Sequence, residues 1–208
     1  MKSISRLFIL LIVTTILVNF AFGQQTVHKL NFDSAKLRVL VLNGKIDSLN
    51  RCLKQGVNPN SPNEDGLTLL MIAAAKGYDT IVQTLLKKPV DVNAKTNKDG
   101  VTPLMFAVTF GHLSTVKVLI EQGHADISIK DKNSTGKRGA LEWSLGRGSF
   151  IWALKGSKEE EDAISTAIGK YLVSKGAVVQ EFNFVDQIVI FGEFPNLSAL
   201  LNKIQINK

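Results

Sequence analysis

Apolar residues in the middle of the chain recur at helical spacing, and the same phrase is written three times. "GKIDSLNRCLKQG", "GYDTIVQTLLKKP" and "GHLSTVKVLIEQG" each set a stripe of apolar residues on one helical face. These are Ile46, Leu49, Cys52 and Leu53, then Ile81, Val82, Leu85 and Leu86, then Val116, Val118, Leu119 and Ile120. Their opening glycines, Gly44, Gly77 and Gly111, are 33 and 34 residues apart. A shorter apolar run precedes each glycine. In the third copy Thr102 is a natural N-cap and Pro103 a natural first-turn residue before Leu104, Met105, Phe106 and Ala107. In the second, Thr68 takes the cap and Leu69 stands where the proline would be, while Ala73, Ala74 and Ala75 are small enough for helices to approach closely. The turn-rich stretches "NPNSPNEDG" and "VNAKTNKDG" separate the copies.

A fixed period in this range marks a repeat array. One helix pair cannot bury its apolar face alone, so each copy supplies the neighbour that the previous one needs. In the first copy, "SAKLRVLVLNG" carries Lys36 and Arg38, which suits an end unit with a polar outer side. A fourth copy is degenerate: "GALEWSLGRG" sets Leu141 seven residues before Gly148, and its second helix is "ISTAIGKYLVSKG". About 15 extra residues, 149–163, separate the two halves, and Ser157 with Glu160 forms a capping box that starts the second helix near Lys158. A fifth copy closes the chain, with Phe194, Leu197, Leu200 and Leu201 in the register of Ile46, Leu49, Cys52 and Leu53. By composition "FVDQIVIF" (184–191) looks like a strand; by register it is a helix.

The period and wording resemble the ankyrin repeat. Gly100, Thr102, Pro103, Leu104, Ala107, Gly111 and His112, then Gly123, Ala125 and Asp126, follow that family's pattern in the third copy. Gly66, Thr68, Leu70, Ala73, Ala74, Gly77 and Asp91-Val92-Asn93 follow it in the second. Met71 and Met105 stand where the family usually has His, so the hydrogen bonds of that residue must be made otherwise. The resemblance implies an all-α solenoid of stacked helix-turn-helix units joined by short hairpin loops. It divides residues 32–208 into units of about 32–64, 65–98, 99–133, 134–181 and 182–208. It also implies non-catalytic binding of one or more proteins through the hairpin tips and the exposed side of the first helices, a concave face. By register that face carries Leu67, Lys76, Lys98, Val101, Thr109, Phe110 and Arg147, with Leu67, Val101 and Phe110 as outward apolar groups. Trp152, with Phe150 and Ile151 in the extra segment, is a second candidate.

The N-terminus changes the expected location. Lys2 and Arg6 precede an apolar run from Leu7 to Val18, then Ala21-Phe22-Gly23. This is the pattern of a secretory signal peptide, with cleavage after Gly23 and a linker over 24–31. The run is shorter than the ~20 residues of a spanning helix, so the expectation is export to the periplasm or beyond, as a monomer with no membrane contact after cleavage. The Lys- and Asn-rich style suggests a bacterial source.

The remaining composition narrows the chemistry. A formal charge of +7 is scattered without a basic run, which argues against nucleic-acid binding. The single cysteine, Cys52, cannot form an internal disulfide, and its apolar row argues for burial. His28, His112 and His124 share no metal-ligand spacing. "STGKRG" (Ser134–Gly139) lacks the first glycine of a phosphate loop and reads as a solvated basic loop. "EEED" from Glu159 sits favourably at a helix start. No catalytic, cofactor or metal site emerges. Two other functions stay open: a dedicated periplasmic inhibitor or immunity-type protein for one toxin or enzyme, and an enzyme or enzyme accessory using segment 149–163.

Overall fold

The structure is a computed structural model, and it describes residues 34–132, 138–144 and 158–178. Among these residues every regular element is helical. They are α1 over residues 34–42, α2 Ile46–Lys54, α3 Leu69–Lys76, α4 Asp79–Leu86, α5 Pro103–Thr109, α6 Leu113–Glu121, α7 Ala140–Glu142 and α8 Lys158–Ser174. The leader and linker, segment 149–157 with Trp152, Arg147, and the proposed fifth unit lie outside the described residues.

Local chemistry explains where the helices begin and end. Thr68 and Thr102 are extended and stand before α3 and α5. Their hydroxyls accept from the backbone N–H of Met71 and Met105, both at 3.3 Å. Met71 also answers for the missing histidine: its Sδ accepts from the Thr68 N–H at 3.4 Å, closing a reciprocal cap. α3 ends at Gly77 with φ +67°, a left-handed stop that glycine takes without strain. A Cβ there would lie 2.6 Å from the His112 ring. That ring rests over the stop and its Nε2 lies 3.1 Å from the Ala75 carbonyl, so His112 ties the third unit to the second. Tyr78 stands over Gly44 in the same register.

The helices form two layers. α3, α5 and α7 pack side by side in one, and α2, α4, α6 and α8 follow one another in the second. The apolar stripes read from the sequence meet between the layers: Leu49, Ile81, Val82, Leu85, Val116 and Leu119 are all buried, as are Leu70, Ala73, Leu104 and Ala107 opposite them. Cys52 lies in this core as a free thiol. α1 joins through Leu37 and Val41. Of its two cations, Lys36 is exposed, while Arg38 turns inward and donates to the Ser61 carbonyl at 3.3 Å. α8 is nearly twice the length of α6, with Glu159, Glu160 and Glu161 in its first turn, where the helix dipole favours negative charge.

Candidate interaction surface

The loops between helix pairs are hairpins built on side-chain-assisted turns. In the first, Asn63 Oδ1 accepts from the N–H of Asp65 at 3.1 Å and of Leu67 at 2.7 Å. In the second, the Thr96 hydroxyl accepts from Val101 N–H at 2.9 Å, and Thr96 N–H donates to the Val101 carbonyl at 3.1 Å. In the third, Asp131 accepts from Arg138 through backbone and side chain, at 2.9 and 3.0 Å. Successive tips are joined main chain to main chain: Asn97 N–H donates to Asp65 O at 2.9 Å, and Lys132 N–H to Asp99 O at 2.8 Å. Asn97 Nδ2 adds a bond to Glu64 O and Lys132 Nζ one to Asn97 O.

A second ladder runs along the loops that leave the outer helices. Asn60 Oδ1 accepts from Asp91 N–H at 3.2 Å, and its Nδ2 donates to Pro89 O. One unit on, Asn93 Oδ1 accepts from Asp126 N–H at 3.0 Å. The N-terminal turns of α4 and α6 are also joined, since Asp79 accepts from the hydroxyls of Ser114 and Thr115.

On this frame the residues expected to form a binding row divide. Lys76 and Lys98 are exposed, and Leu67 and Phe110 are half-buried. Val101 does not face outward: it is 8 % exposed and belongs to the apolar core, while its main chain is fixed by the Thr96 turn. Thr109 is also buried, and its hydroxyl is spent on the Met105 carbonyl at 2.8 Å. Leu42, which the sequence reading passed over, is 46 % exposed. Its signal was register, because it stands two residues before Gly44 as Ala75 and Thr109 stand before Gly77 and Gly111. The apolar positions that keep accessible area at the inner helices therefore include Val39 and Leu42, 55 and 46 % exposed, and the half-buried Phe110, with Lys76 between α1 and Phe110 in unit order.

Arg138 is not part of a solvated basic loop. Its guanidinium is paired with Asp131 and lies 4.4 Å from the centre of the Trp143 ring. Beside it Lys130 Nζ meets Glu142 Oε1 at 2.7 Å, and Gly139 N–H donates to Glu142 Oε2 at 2.9 Å. These charges fix the third hairpin to α7. On the outer layer Tyr171 donates to Glu121 at 2.8 Å, with Lys175 Nζ at 3.1 Å from the same carboxylate. The tyrosine hydrogen bond, then the lysine, hold Glu121 below the usual carboxylate range. Burial and then Glu121 push Tyr171 up to about 12.

Among the described residues no three His, Cys, Asp or Glu side chains stand together as metal ligands would, and no helix is long and apolar enough to cross a membrane. His124 is an extra residue in the loop after Gly123, at φ +53° and exposed. What these elements offer is a row of tips and helix ends joined to one another by hydrogen bonds.

Residues 37–131 match the family model for ankyrin repeats, in three copies. A 56-residue stretch is 41 % identical to part of the potassium channel KOR2 of Oryza sativa subsp. japonica. That stretch is 27 % of this chain and 8 % of the channel. The all-α fold expected from the sequence is thus an ankyrin-type helical stack over this region, and such repeats typically bind proteins.

Proposed function

We propose that the three ankyrin repeats of residues 37–131 are the working part of a non-catalytic protein-binding module that acts outside the cytoplasm. The observation that carries the binding reading is the pairing of a rigid frame with accessible apolar groups. The tips are locked to one another by main-chain bonds, so a partner meets a preformed surface and pays little ordering entropy. The exposed Leu42 and the half-buried Phe110 are the anchors, since large apolar side chains that keep accessible area on a stiff frame are what interface cores are made of. Lys76, in the register of Phe110 one unit earlier, and Lys98 on the second hairpin tip favour a partner whose contact surface carries carboxylates. The extracytoplasmic location rests on the signal-like pattern of residues 1–23.

The test is a cross-linked pull-down of residues 24–208 from the envelope or secreted fraction, run beside a Leu42→Asp/Phe110→Asp variant. Leu42 is exposed but Phe110 is half-buried, so the melting temperature of the variant is checked beside the parent, and Leu42→Asp alone is run where the double variant melts lower. One partner held by the parent and lost by the variant supports this surface, and a dedicated inhibitor would show such a single partner. The same partner held by both versions rules out the row. Export is read separately, by sequencing the N-terminus of the mature protein; an intact Met1 on a cytoplasmic protein rejects it.

A further inference from the structure

Among the described residues the asparagine ladder runs through two joints and stops at the third. Asn60 reaches the backbone N–H of Asp91, and Asn93 reaches that of Asp126. By register the next step would run from Ser128 to Val178. Ser128 is too short for it, and its hydroxyl turns back to Asp126 Oδ1 at 2.6 Å. Each earlier loop is also closed by its own turn: Asn58 Oδ1 accepts from Asn60 N–H, Asp91 Oδ1 from Asn93 N–H, and Asp126 Oδ1 from Ser128 N–H. Val178 has no such oxygen and is 58 % exposed.

The same joint carries a gap in its packing. A cleft of about 190 Å3 opens between the two loops, lined by Ile127, Ser128, Leu141, Ala177 and Val178, with Lys130 and Glu142 at its edge. Trp143, on the fourth unit's first helix, is buried with its indole N–H unpartnered, a cost that the second and third units do not carry. Besides the apolar packing of Ile168 and Leu172, α8 is clasped to α6 by charge. Glu121 holds both Tyr171 and Lys175, and Lys117 and Lys175 lie 5.6 and 5.3 Å from the centre of the Tyr171 ring. Glu121 is more than half exposed as a side chain, at 51 %. Salt screens such a clasp, whereas a neutral amide ladder is indifferent to it.

We infer that the joint between the third and fourth units is the opening point of the array: α8 with its loop separates from α6 while the first three units stay together, and salt sets how often. A missing rung, an unfilled cleft and a screened ionic clasp all lie at this one boundary, and stability in a stack is a sum over such boundaries.

Native-state hydrogen exchange on the full chain tests this. The α8 amides should exchange faster than those of α3–α6, and raising the salt from low to near-molar should speed α8 alone. Ser128→Asn, which offers the missing rung, should slow α8 exchange roughly fivefold, about one net hydrogen bond. Glu121→Gln should speed it by a similar factor and abolish the salt response. Equal protection of α8 and α4 overturns the inference, as does an α8 rate that neither variant nor salt moves. Changes of equal size in every helix also overturn it, because the array would then open as one unit.

Discussion

Val39 and Ile72 hold the same place in successive units, five residues before the glycine that ends each inner helix. Val39 is 55 % exposed and Ile72 6 %. Both are β-branched, and their helices are alike. The difference is position in the stack: Ile72 lies on a helix that has α5 packed alongside it, whereas Val39 lies on the first helix described. Burial here is a property of the neighbour, so the same residue type serves as core in one unit and as surface in the next.

That contrast can be broken or sharpened by mutation. The largest effect is expected where two layers close on one side chain. Leu85→Ala and Leu119→Ala, both fully buried, should each lose about 2–5 kcal/mol in urea unfolding. A loss under 1 kcal/mol at either position would break the stacking register. Gly77→Ala comes next. It forces a side chain into a left-handed position and into the His112 ring, at a cost of roughly 1–3 kcal/mol from backbone strain. Gly56→Ala, at a similar φ but with nothing within 4 Å, should cost less, so equal losses would mean that the His112 contact is immaterial. Thr102→Ala removes a cap and should cost about 1 kcal/mol in the same assay. Val39→Ala should shift stability by no more than about 0.5 kcal/mol; a larger loss would show that something covers α1.

The smallest effect is electrostatic. The folded state holds the proton on Tyr171 to about pH 12. Its contribution is therefore fully present below the ordinary tyrosine pKa near 10 and fades as pH rises through 12. Glu121 has the opposite sign: its lowered pKa contributes above the usual carboxylate range and is lost as the pH falls through it. A phenolate absorbance titration of Glu121→Gln should bring the Tyr171 midpoint down only part of the way toward 10, because burial is the larger cause. An unchanged midpoint would remove Glu121 from the account.

The units were legible in the sequence because each signal was local and compulsory. Gly44, Gly77 and Gly111 sit at φ +64°, +67° and +72°, a region that the other side chains avoid, and the Thr caps act within one turn. The binding row was less legible. Register says which way a position leans, but not whether the chain around it closes it into the core, as it does Val101. Thr109 failed for another reason: its hydroxyl found a carbonyl on its own helix. Arg138 was read as solvated because its partners, Asp131 and Trp143, lie on either side of a hairpin in the sequence and meet only once it closes. Lys76 and Lys98, at a helix end and a tip, were placed where the structure has them exposed, since nothing arches over such ends.

The way successive tips are fastened has a consequence for how this surface can change over generations. Asn97 N–H to Asp65 O and Lys132 N–H to Asp99 O are bonds between atoms that every residue but proline possesses. Display and support are therefore separately inherited. Glu64 or Lys98 can be exchanged for other residue types while the main-chain strut beneath stays in place, so the surface proposed for binding can vary one substitution at a time.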